Sequence, residues 1–158
     1  RPPTTTIFPY TTLFRSAPSG DAPQRFAGAV RRLASACIRS SKQQKRDVAH
    51  HYDIGNDFFR LWLDESLTYS CAYFRTPSDT LEQAQRQKID HSLHKLRLQP
   101  NDSLLDIGCG WGALVTRAAG SFGARALGIT LSEQQHAEAS AAVEAHGLQR
   151  RAEVRLAG

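Results

Sequence analysis

The sequence predicts an α/β protein in which N-terminal helices precede the first three strands of a doubly wound parallel sheet. Three short apolar segments, residues 103–107, 125–130 and 152–156, alternate with two helical patterns toward the end of the chain. A glycine-rich turn at residues 108–112 joins the first of these strands to the next helix. Strands that alternate with helices form parallel sheets, because right-handed crossovers place the helices on the two faces.

The composition fits one folded domain. The chain has 158 residues, of which 41% are hydrophobic and 22% are charged, and this balance excludes a disordered polar tail. No apolar run reaches the roughly 20 residues that cross a bilayer, and no secretion signal is recognisable, so we expect a cytoplasmic protein. Cys37, Cys71 and Cys109 are widely spaced and lack the paired pattern of zinc sites, so we expect reduced thiols and no metal.

Residues 1–16 are predicted to be an artefact of DNA library preparation and to be disordered. The segment at residues 8–16 resembles the conceptual translation of a widely used sequencing adapter, and the chain contains no methionine, so we expect the natural start to lie elsewhere. The threonines and prolines of this segment offer little surface to bury. The alternative is a genuine disordered leader.

Residues 17–46 are predicted to form either a basic linker or a helix that lies on a membrane surface. Residues 25–46 contain seven basic side chains and no acidic ones, while Phe26, Val30 and Leu33 recur at helical spacing. Anionic lipid attracts such a segment. Because the arm has one aromatic residue and no recognisable nucleic-acid motif, a nucleic acid is not expected as a partner. A non-enzymatic basic binding module is the alternative function that this arm supports.

Residues 47–102 are predicted to form a helical cap in front of the sheet. A first helix is capped by Asn56 or Asp57 and carries five large apolar residues, so it must be mostly buried. These residues are Phe58, Phe59, Leu61, Trp62 and Leu63. In a second helix, Asp79 and Glu82 have the spacing of a capping box. Its apolar face is predicted to contain Leu81, Ile89, Leu93 and Leu96.

Residues 103–158 are predicted to form the amino-terminal half of a nucleotide-binding domain. Gly123 ends its first helix, and Ser132 caps a second helix that ends near Gly147. A glycine turn at the carboxyl end of a strand lets a ligand lie against main chain that side chains would otherwise block. The spacing here is GxGxG rather than the GxGxxG that binds a pyrophosphate, which disfavours a dinucleotide enzyme. A tight turn without a ligand is the alternative.

Five different sequence motifs are distributed over residues 51–135. They are HYDIGNDFF at residues 51–59, LTYSCAYF at 67–74, TLEQAQ at 80–85, LLDIGCGWG at 104–112 and TLSEQQ at 130–135. In sequence and in order they resemble the signatures of the cyclopropane-fatty-acyl-phospholipid synthases and the related mycolic acid cyclopropane synthases. The Gly55-Asn56 pair is more similar to the phospholipid-modifying branch than to the mycolic acid branch.

This resemblance implies the Rossmann-like fold of the S-adenosylmethionine-dependent methyltransferases, with S-adenosylmethionine as cofactor and bicarbonate as base. The implied reaction transfers the cofactor methyl group to a cis double bond of a phospholipid acyl chain, and bicarbonate then removes a proton as a cyclopropane ring closes. Unsaturated phospholipid acyl chains and the inner face of the membrane are the implied partners of a cytoplasmic, peripherally bound enzyme. Alternatives are a family member that forms a methyl branch or a methoxy group, a small-molecule methyltransferase, and a degenerate fragment without activity.

The resemblance also implies the residues of the site. Tyr69 and Ser70 are expected against the amino-acid portion of the cofactor, and Cys71 in the bicarbonate pocket. The other expected cofactor contacts are Leu104, Leu105, Asp106, Ile107, Gly108, Cys109, Gly110, Trp111 and Gly112 beneath it, and Thr130, Leu131, Ser132 and Gln135 at its ribose end. Spacing leaves a second role open for Gln135, which with Ser132 can cap the helix start. Because the family's pattern continues past residue 158, we expect the 158-residue chain alone to be inactive.

Overall fold

A computed structural model of the protein describes residues 4–8, 11–16 and 55–157. The predicted basic arm at residues 17–46 and the start of the cap at residues 47–54 lie outside these described residues. The strands are β1 (Thr4–Phe8), β2 (Thr11–Ser16), β3 (Ser103–Ile107), β4 (Arg125–Thr130) and β5 (Ala152–Leu156). The helices are α1 (Asn56–Arg60), α2 (Leu81–Lys95), α3 (Ala113–Ser121) and α4 (Glu133–Ala145). None of the helices in this described part is long and apolar enough to span a bilayer.

The five strands form one sheet in the order β1-β2-β3-β4-β5. Strands β3, β4 and β5 are parallel neighbours, and their bounds coincide with the three predicted segments. The predicted three-stranded parallel sheet is therefore confirmed. Because the carboxyl ends of parallel strands meet at one edge, the turns that follow Ile107 and Thr130 lie side by side.

Strands β1 and β2 are antiparallel to each other, and β2 pairs with the outer edge of β3. The expectation that residues 1–16 are disordered is therefore wrong for residues 4–8 and 11–16. The physical reason is that the edge of β3 presents N–H and C=O groups in need of partners, and a segment rich in threonine has the strand propensity to pair with them. The origin of these residues in a sequencing adapter stays a prediction.

The main hydrophobic core lies between the parallel strands and the helices α2, α3 and α4. Its largest fully buried apolar side chains are Leu93, Leu96, Leu104 and Val115. Burying each of them contributes roughly 1.5–3 kcal/mol to the free energy of unfolding. A second, smaller cluster joins Phe59, Leu67 and Trp111, and it connects α1 to the glycine turn. The two clusters thus pack next to the carboxyl ends of the parallel strands.

Helix α1 differs from its prediction. It has five residues and begins after Gly55, whose φ is 86°, and no side chain caps it, so neither Asn56 nor Asp57 acts as the cap. Phe59 is its buried residue, whereas Phe58 is about half exposed and Leu61, just after the helix, is 81% exposed. The expectation of a mostly buried helix is wrong, because so short a helix cannot place all of its apolar residues on one buried face.

The start of helix α2 lies one residue later than predicted. Thr80 caps it and forms a capping box with Gln83, whereas Asp79 accepts backbone hydrogen bonds from Arg75 and Thr76. The Asp79–Glu82 box is therefore wrong, because the Asp79 carboxylate is already engaged by the preceding turn. The predicted apolar face is confirmed for its buried members Ile89, Leu93 and Leu96.

Candidate cofactor site

The glycine turn between β3 and α3 is fixed to the end of the neighbouring strand. The backbone N–H groups of Gly108 and Cys109 both donate to the carbonyl oxygen of Ile129 in β4, at 2.8 and 3.0 Å. Gly108, Gly110 and Gly112 have φ values of 81°, 56° and 84°, in the left-handed region that favours glycine. The sequence thus folds into this turn because glycine occupies each position where the backbone requires positive φ.

Gly110, Gly112 and Gly128, which lie in or beside this turn, have different surroundings. A Cβ atom built on Gly110 would meet no atom of the described residues within 4 Å, so among these residues its main chain borders open space. A Cβ on Gly112 would lie 2.9 Å from the Cβ of Ala139, and one on Gly128 would lie 2.8 Å from the Sγ of Cys109. Gly112 and Gly128 therefore allow α4 and the turn to pack closely, and Gly110 leaves bare main chain for a ligand.

Asp106 is a carboxylate buried at the end of β3. Its side chain is 2% exposed, and within the described residues its Oδ1 atom accepts no hydrogen bond. Burial raises the pKa of Asp106 to about 7. An acceptor that is buried without a partner beside an open glycine turn is the arrangement that a polar ligand or an ordered water completes.

Cys109 is buried in the turn and packs against β4. Burial raises the pKa of its thiol to about 12, and the nearby Asp106 adds to this increase. The thiol therefore stays protonated at neutral pH and behaves as a small apolar group rather than as a nucleophile.

The β4 side of the edge carries a short network of polar side chains. The Thr130 hydroxyl donates to Oε1 of Gln135 at 2.7 Å, and Ser132 caps α4 by accepting from the backbone N–H of Gln135. The cap predicted at Ser132 is confirmed. Gln135 itself is buried, and its side chain bonds to Thr130 rather than to the start of the helix. Leu131 is about half exposed at the same edge.

The predicted residues of β3 fall into two groups. Leu104 is buried in the core, and Leu105 is half-buried, so both lie below the edge of the sheet. Ile107 is 42% exposed at the end of the strand, next to Gly108. Only the last part of the strand therefore offers surface to a ligand at the glycine turn.

Tyr69 reaches the glycine turn through a chain of aromatic rings. Its ring centroid lies 5.5 Å from that of Phe59, and Phe59 lies 5.0 Å from Trp111 in the turn. Tyr69 is also 5.3 Å from Trp62, and both rings are about half exposed. Ser70 and Cys71 follow Tyr69 and are exposed. The structure thus brings Tyr69 to the turn through Phe59.

Comparison with known proteins identifies the family of this arrangement. The family model described as mycolic acid cyclopropane synthetase matches residues 39–158. The chain belongs to this family. The family resemblance found in the sequence motifs is confirmed, and so is the Rossmann-like methyltransferase fold with its incomplete parallel sheet.

Two curated relatives show how much of the family's length the chain spans. A probable fatty acid methyltransferase of Pseudomonas putida is 49% identical over 113 residues, which is 70% of this chain and 29% of that protein. Cyclopropane mycolic acid synthase 2 of Mycobacterium bovis is 50% identical over 111 residues, or 70% of this chain and 37% of the relative. The chain thus spans about a third of the length of these two relatives.

A solved structure of the family shares the architecture. The mycolic acid cyclopropane synthase CmaA1, complexed with SAH and CTAB, matches with a TM-score of 0.67 and 44% sequence identity. The match covers 72% of this chain and 40% of that one.

The described residues fit the cofactor that this methyltransferase family implies. The open space beside Gly110 can accept the body of a nucleoside against bare main chain. Oδ1 of Asp106, which accepts no hydrogen bond from the described residues, provides a buried acceptor at the same turn. Tyr69 and Leu131 add partly exposed apolar surface at the site. The residues present therefore suit a ligand that is mostly apolar with a few polar groups.

The structure adds residues that the sequence reasoning missed. Asn56, expected as a helix cap, accepts a hydrogen bond from Nε1 of Trp111 at 2.9 Å and lies within 3.4 Å of Glu138. Gln85 and Lys88 of α2 both bond to Ser70. Their separation of three residues places them on one helix face, and only this much was visible in the sequence. Nothing in the sequence indicated that this face meets the Tyr69–Cys71 segment.

Proposed function

We propose that the chain is the cofactor-binding part of an S-adenosylmethionine-dependent methyltransferase that forms cyclopropane rings in the unsaturated acyl chains of phospholipids. The observation that carries the proposal is the bare main chain at Gly110, which borders open space at the carboxyl edge of a parallel sheet. Membership of the cyclopropane synthetase family supports both the cofactor and a lipid substrate.

The proposed role of the glycine turn is to bind and orient the cofactor. S-adenosylmethionine supplies, when it is bound, a methyl group on a sulfonium that an uncharged alkene can attack. The turn is fixed by two hydrogen bonds to Ile129, so its shape is set before a ligand arrives. The Asn56 side chain accepts a hydrogen bond from Trp111, and this bond connects the entry segment, residues 55–74, to the glycine turn. Preformed sites of this kind bind without the cost of ordering a loop.

The proposed acyl-chain side of the site is aromatic and exposed. Phe58, Trp62 and Tyr69 form edge-to-face or tilted contacts with one another or with Phe59, and each is about half exposed. Such rings exclude water and stabilise positive charge that develops on a hydrocarbon chain. This surface therefore supports the proposal of an apolar substrate whose double bond is lost through a carbocation.

The bicarbonate base and the membrane location are further parts of the proposal. Cys71 is exposed beside Ser70 and is available to line a bicarbonate pocket. Peripheral binding to the inner face of the membrane is supported by the seven basic side chains at residues 25–46, which anionic lipid attracts.

The direct test is the reaction of the full-length protein with labelled S-adenosylmethionine and vesicles of unsaturated phospholipid. The expected product is an acyl chain that is one methylene group heavier, has lost its double bond and resists cleavage by ozone. Turnover should require bicarbonate, and removing carbon dioxide from the buffer should reduce it. A labelled product on protein, RNA or a small amine instead of lipid would contradict the proposal.

The second candidate is a family member that adds a methyl branch without closing a ring. Its support is the Pseudomonas putida relative, whose description as a probable fatty acid methyltransferase names no ring. The same assay separates the two, because a branched product shows a second methyl resonance beside that of the chain end and lacks the upfield ring protons of a cyclopropane in its proton spectrum.

We also propose that the 158 residues alone do not turn over. The support is that the chain spans 29% and 37% of two relatives, so their remaining residues have no counterpart here. Cyclopropane product from the purified 158-residue chain would contradict this.

A further inference from the structure

The segment that carries Tyr69, Ser70 and Cys71 has no regular secondary structure and is held by helix α2. Nε2 of Gln85 donates to the backbone oxygens of Thr68 and Ser70, at 3.1 and 2.8 Å. Gln85 is 3% exposed, so these bonds are made in the interior. The main chain on both sides of Tyr69 is therefore fixed by one buried side chain.

One turn further along the same helix, Lys88 reaches the side chain of Ser70. Its Nζ atom donates to the Ser70 hydroxyl oxygen at 2.6 Å. Lys88 is half-buried, and burial lowers the pKa of Lys88 to about 8 although the nearby carboxylate of Asp64 raises it. The Lys88 side chain is thus mostly protonated at neutral pH. It is less exposed than Ser70, the residue that it contacts.

This contact determines whether the Ser70 hydroxyl is a donor or an acceptor toward Lys88. An ammonium group has three donors and no acceptor, so the Ser70 oxygen must be the acceptor in this bond. The Ser70 proton then points away from Lys88, and within residues 55–157 it meets no acceptor. A hydroxyl that accepts from a cation is also polarised, which strengthens the bond that it donates. Ser70 therefore presents a polarised donor at an exposed position.

We propose that Lys88 is a positioning residue that makes Ser70 a hydrogen-bond donor to a carboxylate-type oxygen of a ligand in the cofactor site. The inference rests on the proposed function, which supplies the ligands that carry such oxygens. Two sources share the chemistry: the carboxylate of the cofactor's amino-acid portion and the bicarbonate ion. The positive charge behind Ser70 favours an anionic acceptor in either case.

The experiment compares two ligands of the full-length protein by calorimetry. S-adenosylhomocysteine contains the carboxylate, and methylthioadenosine has the same nucleoside without the amino-acid portion. Lys88→Met removes both the charge and the donor, and we expect it to weaken binding of S-adenosylhomocysteine about tenfold while leaving methylthioadenosine unchanged. Lys88→Arg should restore most of the lost affinity. Lys95→Met, which changes an exposed lysine of the same helix, is the matched control and should alter neither ligand.

A second variant links the effect to Ser70. Ser70→Ala should produce the same selective loss, and combining it with Lys88→Met should add little, because both changes remove one bond. This variant also keeps the inference testable if Lys88→Met does not fold. If both ligands bind the Lys88→Met protein as the wild type, a rise of about tenfold in the bicarbonate concentration for half-maximal turnover would support the proposal with bicarbonate as the acceptor.

Four results would overturn the inference. Equal loss of both ligands in folded Lys88→Met protein would show a structural role, and so would a double variant whose losses add in full. No change in either ligand or in the bicarbonate dependence would exclude any role. Failure of the wild-type protein to bind S-adenosylhomocysteine at all would contradict the proposed function itself, and the inference would fall with it.

Discussion

The glycine turn and the entry segment meet at Trp111, but they are held in different ways. The turn at residues 108–112 is fixed by backbone hydrogen bonds and by close packing against β4 and α4. The entry segment at residues 55–74 is attached by the small buried cluster of Phe59, Leu67 and Trp111 and by polar side chains such as Asn56 and Gln85. It leaves several aromatic rings exposed.

This difference indicates which residues mainly stabilise the fold and which are available for a function. Packing around Gly112 and Gly128 leaves no room for added atoms, so substitutions at these two positions should lower the free energy of unfolding. Exposed rings of the entry segment contribute little to folding, so their presence on the surface calls for another reason. In the proposed enzyme that reason is contact with an acyl chain.

The largest effect is expected from Asp106, the carboxylate buried beside the turn. Its ordinary pKa of 3.8 rises to about 7 in the folded protein, so between these values the folded chain keeps a proton that the unfolded chain has released. Unfolding then releases a proton, and the stability should fall by roughly 1 kcal/mol per pH unit across this window and stay constant above it. Asp106→Asn should remove this part of the pH dependence, as measured by urea unfolding from pH 4 to pH 8 without ligand. Identical pH profiles would contradict the prediction.

Gly128→Val should have the next largest effect. Its side chain would enter space occupied by Cys109 and Val115, whose atoms lie 2.8 and 2.9 Å from a Cβ built on Gly128. Overpacking of this kind costs about 3 kcal/mol. Urea unfolding measures the loss. A variant as stable as the wild type would show that the packing around Gly128 has room for a larger side chain, which would contradict the prediction.

Gly112→Ala should cost about 2 kcal/mol, because it places a side chain at a positive φ and 2.9 Å from the Cβ of Ala139. A double-mutant cycle separates the two causes. In an Ala139→Gly background the same change should cost less, since only the backbone strain remains. Equal costs in both backgrounds would remove the packing argument.

The smallest effect on stability is expected from the entry segment. Leu61 is 81% exposed, so Leu61→Gln should change the free energy of unfolding by less than about 0.5 kcal/mol. The same variant should bind vesicles of unsaturated phospholipid more weakly, as measured by sedimentation. Unfolding at lower urea with unchanged vesicle binding would reverse the proposed division between the two regions.

The sequence predicted the parallel sheet well, because its signals are local. Apolar segments, helical periods and the Ser132 cap all lie within a few residues of the elements that they define. The glycine turn was also predictable, since positive φ demands glycine at Gly108, Gly110 and Gly112.

The rest depended on contacts between distant residues. Five apolar residues near Asn56 indicated a buried helix, yet no local signal showed that α1 would be only five residues long. Thr80 rather than Asp79 caps α2, because Asp79 bonds to the turn before it. The bonds from Gln85 and Lys88 to Ser70 cross 15 and 18 residues of sequence, which periodicity does not reveal.

The measurement that tests the account most directly is the affinity of the full-length protein for S-adenosylhomocysteine after Gly110→Asn. Asparagine tolerates the left-handed backbone of this residue, where φ is 56°, and its side chain would fill the open space beside the turn. Gly147→Asn is the matched control, because Gly147 has φ 65° and open surroundings but follows α4 at the opposite edge of the sheet. We predict that calorimetry finds at least about a tenfold loss of affinity for Gly110→Asn and none for Gly147→Asn. Equal affinity of the folded Gly110→Asn variant and the wild type would contradict the account.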